Sequence, residues 1–318
     1  MYKIGVDVGG MSVKIGLVDD NGNILAKKVI KTVKGIDKQV EFVTEIANVI
    51  NLLISENKID KSQVLGVGVG CPGTVDSTTG IVVFADNIKW EQLEVDAIIE
   101  RVTGLKCFVA NDADCATLGE MLYGSCKNDT DIVMLTLGTG VGGGLILNGK
   151  LYQGYKGMAA ELGHTTLKYK GKKCNCGRRG CFEQYASVTA LIDITKKYML
   201  KDKSSTMWEI VDNNIDLVDG KTAFSQSKKG DKTAKKVVNK YVSYLAEGIL
   251  NYCNIFRPQS IVLGGAISNE GDYLINLIKK IISHAEKQSY GYPQTPKVEI
   301  KVASLKNDAG IIGAAALV

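Results

Sequence analysis

The chain has 318 residues, enough for a sizeable core and for two domains. Hydrophobic residues make up 45% and charged residues 23%, a globular balance that excludes a disordered chain, and no uninterrupted apolar run reaches membrane-spanning length. The net charge of +5 comes from scattered lysines, with pairs such as Lys27-Lys28, Lys228-Lys229 and Lys235-Lys236; these read as solvated faces, which argues against a nucleic-acid surface and is compatible with an anionic small substrate.

The N-terminus, M-Y-K-I-G-V-D, enters a strand pattern at once, so a cytoplasmic protein without a leader peptide is expected. Residues 3–18 read as two strands around a glycine turn, and Asp19 to Asn23 supplies a second turn before a third strand. A helix is predicted over about 37–55, a buried strand over 64–70 ending in C-P-G, a helix over 91–103, and a strand over 105–110 running into N-D-A-D and a helix through Glu120. The order strand, glycine turn, strand, N-G turn then recurs at 131–150, which reads as an internal duplication implying two similar α/β domains. Residues 184–257 are largely helical in pattern, with a polar interruption from Asn213 to Lys221. A strand running into glycines at 258–268, a late strand at 297–305 and a small-residue helix at the end complete the pattern. That last helix is expected to pack back on the first domain.

A strand ending in a tight glycine turn exposes backbone N–H groups that can cradle phosphate oxygens. Gly9 and Gly10 form one such turn, with Asp7 placed to hold Mg²⁺ through water; Gly138, Thr139 and Gly140 form a second, and Gly264 and Gly265 a third. Each alone fits an ordinary β-turn equally well, whereas three of them, two within the duplicated unit, favour nucleotide phosphate. There is no G-x-x-x-x-G-K-[ST] sequence, and G-T-G-V-G-G-G leads into a strand pattern, so neither a P-loop nor a dinucleotide fold is indicated.

Asn111-Asp112-Ala113-Asp114 lies where a strand meets a helix. Two readings stay open. The acidic residues cap the helix, or Asp112 serves as a general base while Asn111 holds a neighbouring hydroxyl. Phosphoryl transfer to an alcohol needs a positioned hydroxyl, a carboxylate to take its proton and charge neutralisation on the phosphates.

Of the eight cysteines, five are isolated in mostly apolar surroundings and read as buried thiols. Cys174, Cys176 and Cys181 cluster, and with His164, one of only two histidines, they offer the four-ligand set of a closed structural Zn²⁺ site. The alternatives are a redox pair, a disulfide or a chance grouping. Gly177 and Gly180 let the chain wrap an ion, and Glu161 and Glu183 frame the segment, either as surface carboxylates or as acceptors for sugar hydroxyls.

Together these segments resemble the ROK family of sugar kinases, within the actin-like ATPase superfamily, over nearly the whole chain. D-V-G-G-M-S-V-K looks like the family's first phosphate motif, L-G-T-G-V-G-G-G like its second, and N-D-A-D-C-A-T-L-G-E like its N-D-A-N-x-A-x-L-G-E. The most specific match is E-L-G-H followed by C-N-C-G-R-R-G-C-F-E. The resemblance implies an α/β fold of two similar actin-like ATPase (ribonuclease H-like) domains around a central cleft. The smaller would cover residues 1–118, completed by a C-terminal helix at about 306–318; the larger would cover 119–305 and carry the zinc loop and a dimerisation surface. It further implies ATP-dependent phosphorylation of a hexose with Asp112 as general base. Asn111, Glu161, His164 and Glu183 would bind the sugar, His164 serving zinc and sugar through different ring nitrogens. Asp7, Gly9, Gly10, Ser12, Lys14, Gly138, Thr139, Gly140, Gly264 and Gly265 would line MgATP. Glucose is the expected hexose, as the commonest assignment for this motif set, with mannose, fructose, allose, N-acetylhexosamines and β-glucosides as alternatives. A homodimer is implied. A sugar sensor of the same fold is the alternative of another class; family repressors carry a DNA-binding region ahead of the first phosphate motif, where this chain begins. Three departures stand out: Met11 for threonine, with Ser12 as a stand-in donor, Asp114 for asparagine, and Ala160 for glycine.

Overall fold

The computed structural model describes residues 1–289 and 297–318. In chain order the first elements are β1 (Tyr2–Val8), β2 (Ser12–Asp19), β3 (Ile24–Lys31), α1 (Gln39–Glu56), β4 (Val64–Cys71), β5 (Thr74–Asp76), β6 (Ile81–Ala85), β7 (Trp90–Glu94), α2 (Val95–Thr103), β8 (Cys107–Asn111) and α3 (Asp112–Tyr123). There follow β9 (Ile132–Leu137), β10 (Val141–Leu147), β11 (Lys150–Leu151), α4 (Glu183–Ala186), α5 (Val188–Met199), α6 (Thr222–Lys228), α7 (Lys232–Phe256), β12 (Ser260–Gly264), α8 (Asp272–Ser289), β13 (Glu299–Val302) and α9 (Ala309–Ala315). Among the described residues no helix is long and apolar enough to cross a membrane.

The fold is α/β with mixed sheets. One five-stranded sheet has the order β3-β2-β1-β4-β8 and the other the order β11-β10-β9-β12-β13, so both place an antiparallel hairpin beside parallel strands in the same sequence of positions. The duplicated strand-turn-strand pattern thus corresponds to a repeated topology. Two compact units divide the chain: Met1–Thr130 with Gly144–Ala160 and Ser304–Val318, and Asp131–Gly143 with Glu161–Ala303.

In the first unit the two faces of the sheet are built differently. Strand side chains alternate, so Ile4, Val6 and Val8 of β1 and Val67 and Val69 of β4 join one core with Phe42, Ile46 and Ile50 of α1. The opposite face carries Gly5 and Gly68, and α9 lies directly on them. A Cβ on Gly5 would meet the Ile311 carbonyl oxygen at 1.9 Å, and one on Gly68 the Ala314 oxygen at 1.7 Å. The glycine-rich strand therefore permits backbone-to-backbone approach of the last helix, which also packs on α3.

Three departures from the sequence pattern have local causes. Residues 91–103 are not one helix: Trp90–Glu94 is the third strand of a small β5-β6-β7 sheet, in which Trp90 and Leu93 are buried, and α2 begins only at Val95. The helical interruption after α5 starts at Leu200 rather than Asn213 and contains only 3-10 turns before α6. There Asp202 accepts from Ser204 N and Oγ and from Thr233 Oγ1, side-chain bonds that compete with a helix. The late strand is confined to Glu299–Val302.

Candidate active site

In the first unit the candidate residues gather at the carboxyl ends of the parallel strands β1, β4 and β8, where ligands bind in open α/β sheets. Asp7 lies opposite Lys14 in the β1–β2 register, and the Lys14 ammonium donates to its Oδ2 at 2.8 Å and to the Asn307 carbonyl at 3.3 Å. A Cβ on Gly310, in the first turn of α9, would sit 2.7 Å from the Asp7 carboxylate carbon, so this helix start is open enough only for glycine. The phosphate turn closes with Gly9 N donating to Ser12 O at 3.0 Å. Met11 is 86% exposed, so it contributes backbone and no packing to the turn.

Thr32, which the sequence reading did not single out, fixes this turn at two points. Its hydroxyl donates to Gly9 O at 2.6 Å and its amide to Met11 O at 3.1 Å. Nothing local marks it; the β2–β3 register brings it there.

The capping question at Asn111-Asp112 resolves onto the asparagine. Asn111 Oδ1 accepts the Ala113 amide at 2.8 Å as the N-cap of α3, and its Nδ2 donates to Gly73 O at 2.9 Å. Its amide is therefore held by backbone on both sides, with a second N–H and a second lone pair left for a hydroxyl. Asp112 is the first helical residue, half-buried, with Oδ1 accepting the Ala113 amide at 2.9 Å. Asp114 is buried and accepts from Gln153 Nε2 at 3.3 Å. Glu120, at the other end of α3, is fully buried. It accepts from Ser125 N and Oγ, Ser304 N and Oγ, and Leu305 N at 2.7–3.2 Å, tying together the two segments that flank α3 and α9.

In the second unit the two other glycine turns are neighbours. Gly264 pairs with Thr136 in the parallel β9–β12 register, and a Cβ on Gly265, whose φ is +80°, would meet the Leu137 oxygen at 2.5 Å. The Gly138–Gly140 turn is closed by Gly138 N donating to Gly140 O, and it is held from the α4–α5 side by Val188 N donating to Gly138 O and Thr189 Oγ1 donating to Thr139 O, both at 2.8 Å.

The cysteine segment brings its four donors together. One donor atom each from His164, Cys174, Cys176 and Cys181 lies within 4.8 Å of the others. Cys176 Sγ and Cys181 Sγ are 3.6 Å apart, as are Cys174 Sγ and His164 Nδ1. A disulfide needs about 2.0 Å. A tetrahedron with Zn–S of about 2.3 Å and Zn–N of about 2.0–2.1 Å has edges of roughly 3.5–3.8 Å, so the donor set fits such an ion. Burial pushes the Cys181 thiol up to about 12, so it ionises at neutral pH only where a cation compensates.

The wrap depends on backbone freedom and on anchors. Gly180 has φ +80°, and a Cβ there would strike the Lys168 oxygen at 1.8 Å. Arg178 donates to His164 O and Thr166 Oγ1 at 3.1 Å. Tyr252 of α7, also missed from sequence, donates to Leu162 O at 2.5 Å and shares a 2.8 Å bond with Thr165 Oγ1, while its ring meets Phe182 edge-on. Burial raises its phenol to about 12, which keeps it a donor.

His164 faces two ways. Nδ1 points to the thiols, and Nε2 lies 4.0 Å from Glu161 Oε2. Partial desolvation lifts the Glu161 carboxyl above its ordinary range although the side chain is still 60% exposed; His164 opposes this and Glu183 adds to it. Glu183 opens α4 and places Oε2 3.0 Å from the Val141 amide and Oε1 3.9 Å from Cys174 Sγ. It thus stands between the cysteine cluster and the glycine turn, where a Cβ on Gly140 would meet it at 2.4 Å.

Comparison with known proteins supplies the wider setting. Residues 3–318 match the ROK family. The chain is 37% identical over 319 residues to the glucokinase of Halalkalibacterium halodurans, covering 100% of this chain and 94% of that one. Among solved structures it resembles a ROK-family glucokinase from Streptomyces griseus in complex with glucose and AMPPNP, with TM-score 0.82, 31% identity and coverage of 100% and 99%. It is also 27% identical over 317 residues to the xylose repressor of Caldicellulosiruptor bescii, across 99% of this chain and 77% of the repressor.

Proposed function

The chain belongs to the ROK family, and from that premise we propose that it is an ATP-dependent hexose kinase whose substrate is glucose. The observation that carries this reading is the full-length likeness to glucokinases, one of them solved with glucose and AMPPNP. The two compact units correspond in this reading to the family's two actin-like domains, and the active enzyme is a cytoplasmic homodimer.

Asp112 takes the proton of the reacting hydroxyl. Its place in the first turn of α3, with the cap supplied by Asn111, leaves it a half-buried carboxylate at a strand end rather than a structural cap. Glu161, His164 Nε2 and Glu183 accept from or donate to sugar hydroxyls and fix the orientation of the ring. The amides around Gly9, Gly10 and Ser12 and those of Gly138, Thr139 and Gly140 face phosphate oxygens, with Gly264 and Gly265 keeping side chains out of the nucleotide's path. Mg²⁺ held through water by Asp7, beside Lys14, would neutralise charge on the phosphates. Zn²⁺ on His164, Cys174, Cys176 and Cys181 would fix the loop that presents Glu161 and Glu183; with four protein ligands it has no open position, so its part is structural.

The test is ADP release, coupled to a reporter enzyme, across a panel of hexoses and hexose derivatives. Glucose turnover exceeding that of the other sugars supports the assignment, and turnover no better than theirs overturns it. The repressor likeness favours a second reading, a sugar sensor that binds without phosphorylating. Sugar binding with no ADP release from any sugar would select that reading instead.

A further inference from the structure

The second unit carries a cavity of about 390 Å³ that the kinase reading does not use, within the roughly 300–1,000 Å³ typical of small-ligand sites. It lies between α4, α5 and α7, behind the segment that presents Glu183. Its walls combine two chemistries. Tyr185 and Tyr244 meet at 5.0 Å between ring centroids, tilted by 56°, and Tyr198 adds a third ring. Lys172, Lys197, Lys201 and Lys240 line it with a single carboxylate, Asp193, which leaves a net lining charge of +3 (four lysines less one aspartate).

That carboxylate is already matched, with Lys172 Nζ 3.5 Å from Asp193 Oδ2. Among the described residues no carboxylate lies within ion-pair distance of Lys197, Lys201 or Lys240, and Lys240 rests over the Tyr244 ring at 4.6 Å. Three ammonium groups lining one partly apolar aromatic wall make a positive local field, and an anion entering among them is favoured by it. Lysine ammonium groups are point-charge partners for phosphate, and the rings offer faces for a sugar or a base.

We propose that this cavity is a binding site for a small phosphate ester bearing a ring, such as a sugar phosphate or a nucleotide. The occupant would touch the element that carries Glu183. Tyr185 lies two residues beyond it, and the Tyr185 hydroxyl accepts the Lys172 amide at 2.9 Å. The neighbouring Gln184 Nε2 donates to Cys174 Sγ at 3.7 Å. The choice of a hexose phosphate as one probe rests on the proposed kinase activity; the site itself does not.

The experiment is isothermal titration of glucose 6-phosphate, ADP and inorganic phosphate into the full-length protein saturated with glucose and AMPPNP, repeated on a Lys201→Glu/Lys240→Glu double variant. Both lysines are exposed, so the variant should fold and keep its basal turnover of glucose. The expected result is a binding event in the wild type that weakens at least tenfold in the variant and declines with added salt. Preference for glucose 6-phosphate or for ADP identifies the ring, and inorganic phosphate binding far more weakly than either shows that the rings matter. Absence of any such event, equal binding by wild type and variant, or inorganic phosphate binding as tightly as the esters overturns the proposal. Loss of glucose turnover in the wild type would instead overturn the kinase reading, and it is read out separately.

Discussion

Glu183 Oε2 accepts the backbone amide of Val141 at 3.0 Å. One carboxylate proposed to meet the sugar is therefore also the pin that closes the second glycine turn. Replacing Glu183 by alanine should lower kcat/KM for glucose by about 10–10²-fold, the range for a lost charged hydrogen bond, and should raise the KM for ATP as well. Glu183→Gln keeps an acceptor for Val141 and should recover the ATP term while leaving the sugar term impaired. Steady-state kinetics with each substrate varied would check this, and an alanine variant with an unchanged ATP KM would remove the pinning role.

Asp112→Asn should reduce kcat by about 10²–10⁴-fold, the usual contribution of a general base, with glucose binding retained. Because Asn111 provides the cap, the thermal midpoint should hardly move. Turnover close to wild type would show that another group takes the proton.

Metal analysis should find about one zinc per chain. Stripping it with a strong chelator, or substituting Cys181→Ser, should lower the thermal midpoint and raise the glucose KM far more than the ATP KM, since Glu161 and His164 lose their frame. Protein free of zinc that melts and turns over as before would dismiss the structural-ion account.

Ala160 has φ +60°, a left-handed conformation that costs a residue with a Cβ roughly 1–2 kcal/mol. Ala160→Gly removes that strain but gives the unfolded chain more freedom, worth about 0.5–1 kcal/mol in the other direction. The net expectation is a stabilisation of about 0–1.5 kcal/mol, seen as a modest rise in unfolding midpoint. A clear drop would mean the alanine methyl makes a contact that outweighs the strain.

Glu120→Ala should cost about 2 kcal/mol or more, because Ser125, Ser304 and Leu305 together lose the buried carboxylate that accepts from all three. Glu120→Gln retains an acceptor oxygen and should recover part of the loss. Urea unfolding of both variants measures the difference; a negligible loss in the alanine variant would contradict the hub role.

What was legible from sequence was local. The two strand-turn-strand hairpins, the meeting of β8 with α3 and the four-donor cluster all rest on spacing within a few residues. The β5-β6-β7 sheet was missed because its strands are only three to five residues long, and W-E-Q-L-E places its apolar residues three apart, which a helix would also do. Spacing could not choose which of Asn111, Asp112 and Asp114 caps the helix, since all three side chains are competent. Thr32, Glu120 and Tyr252 act on partners 23, 184 and 90 residues away, and such pairings exist only once sheet register and helix packing are set.

The backbone seam between α9 and the glycines of β1, β4 and α3 bears on the order of events during synthesis. A Cβ on Gly313 would come within 1.6 Å of the Cys115 oxygen, so no other segment with ordinary side chains can stand in for this helix. The first sheet is translated early, yet the strip that covers one of its faces follows the entire second unit along the chain. Through most of translation that face therefore lacks its cover, and the first unit cannot complete its packing until the last residues of the chain have been made.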